Sequence, residues 1–436
     1  MCQPELVEHL YNFEPREQSV FGSSVAVSGD TAFVGVYMDV VDGVESGSVH
    51  LFRFDGENWV FEDRISPTDG ESGQIFGVWL SVDDDSLLIG SQRDNDLGEN
   101  SGSVYAYRLI DEEWVFIQKI LASDGAPEDG FGVLEQENGR VVIGAPGSVS
   151  GNSPGAIYIF EFDGEAWNEV QKITASDGEN GDVFGISPKL RGDRLIVGAP
   201  WDRDELFTRH GSVYVFEYDD SQWVQSAKLE PAVSDFNRSF GFELAISEDL
   251  IFVGDPSDYV ADLFGAVVVF AYVDGAWSET QTLIPEFAGD VSGFGSGVIV
   301  NQDELMLIGA PFTDKNAGIV FIYRLIDGVW VQSGTIENPS AQSDSLFGAR
   351  MGLDGDTAMI ASPRADENIG SVSVYDLGCI VCNADITGDG SLNYFDLSAF
   401  ISAFLTMDLK ADFDNNGIHD FADVTEFLNA YSNGCP

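Results

Sequence analysis

Histidine is scarce in this 436-residue chain, with only His9, His50, His210 and His419. No Gly-x-Ser-x-Gly elbow, His-Glu-x-x-His pair or P-loop occurs. Most triad hydrolases, zincins and P-loop NTPases therefore lack the residues they need. A glycosidase or lyase needs only paired carboxylates. Because 74 acidic side chains nominate no particular pair, no catalytic residue is assigned. Basic residues are also few, 20 against 74 acidic, for a formal net charge of −54. Phosphate binding needs a basic face, which argues against nucleic acid and anionic membrane surfaces as partners. The charge suits solubility in a salty, calcium-bearing medium, where self-repulsion is screened, with a dedicated site for a cationic ligand as the alternative reading. No apolar run is long enough to span a bilayer. No leader-like segment is present, so the chain is expected to be either cytosolic or a mature form. No helical period appears before about residue 390.

What is there is periodic. Phe-Gly occurs at Phe21, Phe76, Phe131, Phe184, Phe240, Phe294 and Phe347, in steps of 55, 55, 53, 56, 54 and 53 residues. So constant a period means one supersecondary unit used seven times. Each unit continues with a short alternating run, a tight polar turn, and an apolar run ending in Gly-Ala-Pro or a variant, as at Gly144-Ala145-Pro146 and Gly198-Ala199-Pro200. A polar loop, a second alternating run such as Gly211–Phe216, a turn and a Trp-led segment follow. Period-two alternation bounded by Gly, Asp and Asn reads as strands and hairpins. Four strands in each of seven units predict a mainly β fold, a seven-bladed β-propeller.

The ends of the repeat predict how the ring closes. In six units Trp is followed six residues later by Leu or Ile and, eleven further on, by the next Phe-Gly; the anchors are Ile65, Ile120, Ile173, Leu229, Leu283 and Ile336. The seventh unit stops after Gly370–Tyr375 without a fourth strand, but Leu10 lies eleven residues before Phe21. Residues 4–11 are therefore expected to complete the last blade and cover its open edge. The propeller is placed at 1–378.

These units resemble FG-GAP repeats, the blades of integrin α-subunit propellers and of many secreted bacterial proteins. Calcium-binding blades of that family carry an Asp-x-Asp-x-Asp-Gly loop between their first two strands. Here those turns are short, as at Gly29-Asp30, Gly192-Asp193 and Gly355-Asp356. The blades are accordingly not expected to hold calcium in that way. Arg191-Gly192-Asp193 fills one such turn, which accounts for it without an integrin-type role.

After a short linker, 379–382, the composition changes. Residues 383–436 hold two copies of a metal-loop pattern 27 residues apart. The first runs Asp385, Thr387, Asp389, Gly390, Ser391, Asn393, Asp396; the second runs Asp412, Asp414, Asn416, Gly417, Ile418, Asp420, Asp423. Alternate positions supply side-chain oxygens, the seventh (Ser391, Ile418) a backbone carbonyl, and glycine the sharp turn that calcium loops need. A short apolar helix is predicted after each loop, with Phe400 and Phe404 matched by Phe427 and Tyr431. Paired loop-helix units of this kind resemble a type I dockerin, here ending Gly434-Cys435-Pro436. The resemblance implies a small α-helical domain with two calcium ions that docks onto a cohesin-like or surface protein. Positions that often read Ser-Thr in cellulosomal dockerins are Tyr394-Phe395 and Phe421-Ala422 here.

Cys2 begins the closing strand and Cys379 lies just past its expected neighbour, while Cys382 and Cys435 bracket the C-terminal module. Disulfides Cys2–Cys379 and Cys382–Cys435 are predicted, implying an oxidising compartment and hence a secreted or cell-surface protein. Cys379-Ile380-Val381-Cys382 also admits a redox-pair or half-zinc-site reading, for which no thioredoxin-like context or second pair exists. The in-phase Trp59, Trp114, Trp167, Trp223, Trp277 and Trp330 read as inter-blade packing. Trp79 and Trp201 are off-phase; Trp201 opens the acidic loop Asp202-Arg203-Asp204-Glu205, which is expected to share one face with the acidic loops Asp39–Glu45 and Asp94–Asn100, and Trp201 with Asp202 and Asp204 is the candidate ligand face. The expected function is calcium-dependent interaction or adhesion. The competing readings are a polysaccharide-binding or polysaccharide-degrading component and a purely structural surface-layer component.

Overall fold

The computed structural model describes residues 4–147, 153–203, 208–231, 239–256, 265–286, 291–301, 305–326, 328–340, 342–378, 384, 386–387, 393–406, 411, 413, 419 and 421–433. Each alternating run is a strand, and the described residues form seven four-stranded sheets in simple meander order. Blade 2 is typical: Trp79–Asp83, Ser86–Ser91, Ser103–Ile110 and Glu113–Ile120 run antiparallel from the innermost strand to the outermost. The fold is a seven-bladed β-propeller. Arg191-Gly192-Asp193 lies at the two-residue turn between Ile186–Arg191 and Arg194–Ala199, as expected.

The ring closes as the phase of Leu10 requires. Glu5–Tyr11 is the fourth strand of the sheet that holds Met351–Asp354, Thr357–Ser362 and Ser371–Asp376. Leu10 is buried in one cluster with Phe21, Ala32 and Val34 of blade 1 and Met359, Val372 and Val374 of blade 7. A second device shows the same phase. Gln118 of blade 3's predecessor grips the backbone of Trp167, donating to its carbonyl at 3.0 Å and accepting its N–H at 2.7 Å. Gln171 does the same at Trp223 and Gln281 at Trp330. Glu8 of the closing strand stands two residues before Leu10, as Gln118 stands two before Ile120, and accepts the Trp59 N–H at 2.8 Å.

The apolar core lies between blades. Leu88, Val104 and Ala106 of blade 2 pack with Phe131, Val141 and Tyr158 of blade 3, and the other interfaces repeat the pattern. Burying one such phenylalanine is worth about 1.5–3 kcal/mol. The two sequence marks meet at these interfaces. A Cβ on Gly144, the glycine of Gly-Ala-Pro, would stand 1.9 Å from the carbonyl oxygen of Gly185, the glycine of the next Phe-Gly. Gly90 against Gly132 leaves 2.2 Å. Glycine recurs there because neighbouring backbones touch.

One local feature is not evident from the sequence pattern. After Pro311 and Pro363 the chain turns through three consecutive left-handed residues, Asp314-Lys315-Asn316 and Asp366-Glu367-Asn368. Asp and Asn tolerate that region better than most residues, although a run of three is unusual.

The chain divides into two compact units, Glu8–Val374 and the remainder, Met1–Val7 with Tyr375–Pro436. In the second, helix α1 (Tyr394–Thr406) and helix α2 (Phe421–Asn433) repeat at the expected 27-residue spacing. Phe400 and Phe427 stack at 3.9 Å with parallel rings, and Ala384 and Ala411 are buried with them. Among the described residues no helix is long and apolar enough to cross a membrane.

Candidate functional site

Lysines of the outer strands tie the inter-blade connections to the blades. Lys172 meets Asp124 at 2.6 Å, and the Tyr158 hydroxyl donates to the same carboxylate at 2.8 Å. Lys228 with Asp177 and Tyr214, and Lys119 with Asp69 and Tyr105, repeat the arrangement one blade away on either side. The Lys172 hydrogen bond, helped by Tyr158, holds the Asp124 pKa below the ordinary value. Burial opposes the charge of Asp69 and of Asp177, but hydrogen bonds from the lysine and the tyrosine outweigh it and leave both lowered. The Tyr158 hydroxyl is pushed up to about 12, chiefly by burial.

This network accounts for part of the candidate ligand face. Asp202 is only 4% exposed, meets Lys228 at 2.7 Å and accepts the Ser212 hydroxyl at 2.5 Å. Its carboxylate is turned into the blade. Trp201 is half-buried beneath Arg209, whose guanidinium lies 5.8 Å from the ring centroid. Asp204 lies outside the described residues. Asp39 and Asp94 repeat the internal placement, at 3% and 4% exposed. Sequence reasoning saw acidic loops, but not that a strand-four cation reaches each of these buried acids.

The in-phase tryptophans pack as expected: Trp59, Trp167, Trp223 and Trp330 are buried, with Trp330 edge-on to Phe252 of the preceding blade at 5.3 Å. Trp79 does something else. It stands on the innermost strand and faces the central channel, a cavity of about 350 Å³ lined by the first strand of every blade. Its indole N–H donates to Gln92 at 3.0 Å, and Gln92 donates in turn to the Gly130 carbonyl at 3.0 Å. Arg350 of blade 7 reaches past blade 1 and lies over the Trp79 ring, 5.3 Å from its centroid.

Elsewhere on the channel wall Lys189 sits between Glu135 at 3.5 Å and Glu243 at 4.0 Å, and the Ser187 hydroxyl donates to Glu243 at 2.9 Å. Glu135 and Lys189 are 32% and 27% exposed. Burial raises the Glu135 pKa against the pull of Lys189. Burial also opposes the Lys189 charge, but Glu135 and Glu243 outweigh it and hold the ammonium above its ordinary range. No sequence motif marks these residues. The only hint was that Trp79 breaks the repeat.

In the C-terminal unit the acid that closes each predicted metal loop is fully buried at the start of its helix. Asp396 accepts the Thr387 N–H at 3.1 Å, the Thr387 hydroxyl at 2.7 Å and the Asn393 N–H at 2.9 Å. Asp423 accepts the Phe413 N–H at 2.7 Å. Asp385, Asp389, Gly390, Ser391, Asp412, Asp414, Asn416, Gly417, Ile418 and Asp420 lie outside the described residues, as do Cys2, Cys379, Cys382 and Cys435. The first turns of the two helices expose Tyr394, Phe395 and Phe421.

Four stretches, residues 14–52, 59–107, 114–160 and 167–216, match the FG-GAP repeat family. The fold is similar to that of a Bacteroides uniformis ATCC 8492 protein described as a candidate 6-phosphogluconolactonase, at TM-score 0.52 and 12% identity, covering 76% of this chain and 88% of that one. A second protein so described, from Bacteroides fragilis NCTC 9343, reaches TM-score 0.48 at 12% identity, covering 72% and 84%. At such identity the first likeness speaks to the propeller fold alone. Comparison with curated proteins finds no match.

Proposed function

We propose that this FG-GAP repeat propeller is a non-enzymatic recognition scaffold, secreted or cell-surface, and that its C-terminal helix pair is a dockerin-like module that attaches it, with calcium, to a cohesin-like or surface protein. One observation carries the reading. Two fully buried carboxylates, Asp396 and Asp423, stand 27 residues apart, each turned back onto its own loop at the start of its helix. That is the place of the closing acid in an EF-hand-type loop, and the remaining donors are hard oxygens of the kind calcium takes.

Asp385, Thr387, Asp389, Asn393 and Asp396 would hold one ion, with the Ser391 carbonyl. Asp412, Asp414, Asn416, Asp420 and Asp423 would hold the other, with the Ile418 carbonyl. The ions would neutralise carboxylates that otherwise repel, so metal binding adds to the folding free energy of the module. The exposed aromatics Tyr394, Phe395 and Phe421 give the partner an apolar contact in place of the hydroxyl pair of cellulosomal dockerins.

The test is capture by immobilised cohesin-like domains with calcium and with chelator. Asp385→Ala with Asp412→Ala should abolish capture and leave the propeller folded; undiminished capture refutes the docking role. A second reading, a polysaccharide-binding or polysaccharide-degrading component, is favoured by the polar channel around Trp79. Retention and turnover on a panel of polysaccharides separate the two.

A further inference from the structure

We propose that the central channel binds a small carboxylate-bearing sugar or polyol, its carboxylate on Arg350 and its hydroxyls on Glu135, Glu243 and Lys189. The inference rests on the propeller's recognition role and not on the docking module.

Position in the repeat is the first ground. Residues that hold this fold together recur in every blade, because every blade meets the same neighbour. On the channel wall the recurrence fails. Three residues after Phe, the seven blades carry Ser24, Trp79, Leu134, Ser187, Glu243, Gly297 and Arg350. Large or charged side chains fall on blades 2, 3, 5 and 7 and serine or glycine on blades 1, 4 and 6, so the repeat is broken at this position.

The second ground is Arg350. One of its terminal nitrogens donates to the Ala349 carbonyl at 2.9 Å, while its buried Nε has no hydrogen-bond partner among the described residues. It makes no ion pair there either, in a chain with 74 acidic residues. Trp79 holds the planar guanidinium in place and is itself locked by Gln92. The buried Nε is closed to the channel, but a guanidinium held in one plane suits a carboxylate, which its two terminal nitrogens can grip at two points.

The third ground is what shares the space. Of the cations lining this cavity, Lys189 is paired with Glu135 and Glu243 and Arg191 with Glu137, so among the described residues Arg350 is the one left to meet an anion. Glu135 and Glu243 offer acceptors for hydroxyl groups, and Ser187 orients Glu243. A cavity of about 350 Å³ lies at the small end of ligand sites and suits a single sugar ring rather than a polymer strand.

Calorimetry on the full chain with calcium present tests this, using D-glucuronate, D-glucose and acetate as probes. Glucuronate should bind at one site per chain, more tightly than glucose or acetate. Arg350→Gln should weaken it on the order of tenfold to hundredfold, the range for a lost hydrogen bond to a charged group. Arg350→Lys keeps the charge but not the planar two-point grip, should also weaken glucuronate, and covers the case in which Arg350→Gln fails to fold. Asp385→Ala with Asp412→Ala should bind glucuronate as the wild type does, which separates this site from the docking module. Absence of glucuronate binding at millimolar concentration, equal binding of glucose, or an affinity unchanged by Arg350→Gln overturns the proposal.

Discussion

Replacing Gly144 by alanine tests the claim that Phe-Gly and Gly-Ala-Pro recur because they touch. The added Cβ would lie 1.9 Å from the Gly185 carbonyl oxygen, and real Cβ atoms essentially never approach within 3.0 Å. The carbonyl must therefore retreat by at least about 1.1 Å, from 1.9 to 3.0 Å. It belongs to the backbone that carries Phe184, whose N–H donates to the Pro154 carbonyl of the previous blade at 3.0 Å. Retreat opens that bond and loosens a phenylalanine that is fully buried. Overpacking costs about 1–3 kcal/mol, and a weakened hydrogen bond adds about 1, so about 2–4 kcal/mol is expected. Gly334→Ala is the control. Its Cβ would meet only the tip of Ile322 at 3.7 Å, with no positive φ, so it should be neutral or slightly stabilising. Urea unfolding of both variants provides the measurement. Equal midpoints for Gly144→Ala and Gly334→Ala would refute the explanation of the repeat.

Glu8→Ala should destabilise by about 1–3 kcal/mol, because the Trp59 N–H loses its acceptor, while Glu8→Gln should stay close to wild type, as glutamine fills the equivalent place at Trp167 and Trp223. Equilibrium unfolding of the two variants compares them, and equal losses would count against the closing device. Lys172→Met should show a pH-dependent loss. Asp124 has a folded pKa below its unfolded value, so its contribution is complete above about pH 4 and fades as pH falls through the lowered value. A wild-type advantage that stays constant down to acid pH contradicts that assignment. With a formal charge of −54, added salt should raise thermal stability by screening self-repulsion, and a melting temperature insensitive to ionic strength would count against that reading.

What was legible in the sequence is what the ring repeats. Phe131 and Gly144 recur because each interface needs the same buried ring and the same backbone approach. Leu10 placed the closing strand because the eleven-residue interval to Phe21 copies six others. The inward-turned Asp202 was not legible, since sequence shows an acidic loop but not that Lys228 reaches it from the outer strand. The pairing of Trp79 with Arg350 was not legible either. Those residues lie far apart in the chain, and only ring closure brings blade 7 round past blade 1 to blade 2. Lys189 with Glu135 and Glu243 likewise spans three blades, and no local motif marks it. In the C-terminal unit the 27-residue period foretold both helices and the apolar face of each, but not that Phe400 and Phe427 of those faces stack on one another.

The measurement that bears most directly on the central claim is calorimetric calcium titration of the full chain beside the Asp396→Asn, Asp423→Asn double variant. The account predicts about two ions for the wild type, as expected for two loops of this kind, and loss of both in the variant. Absence of calcium binding, or binding that survives the double substitution undiminished, would contradict it.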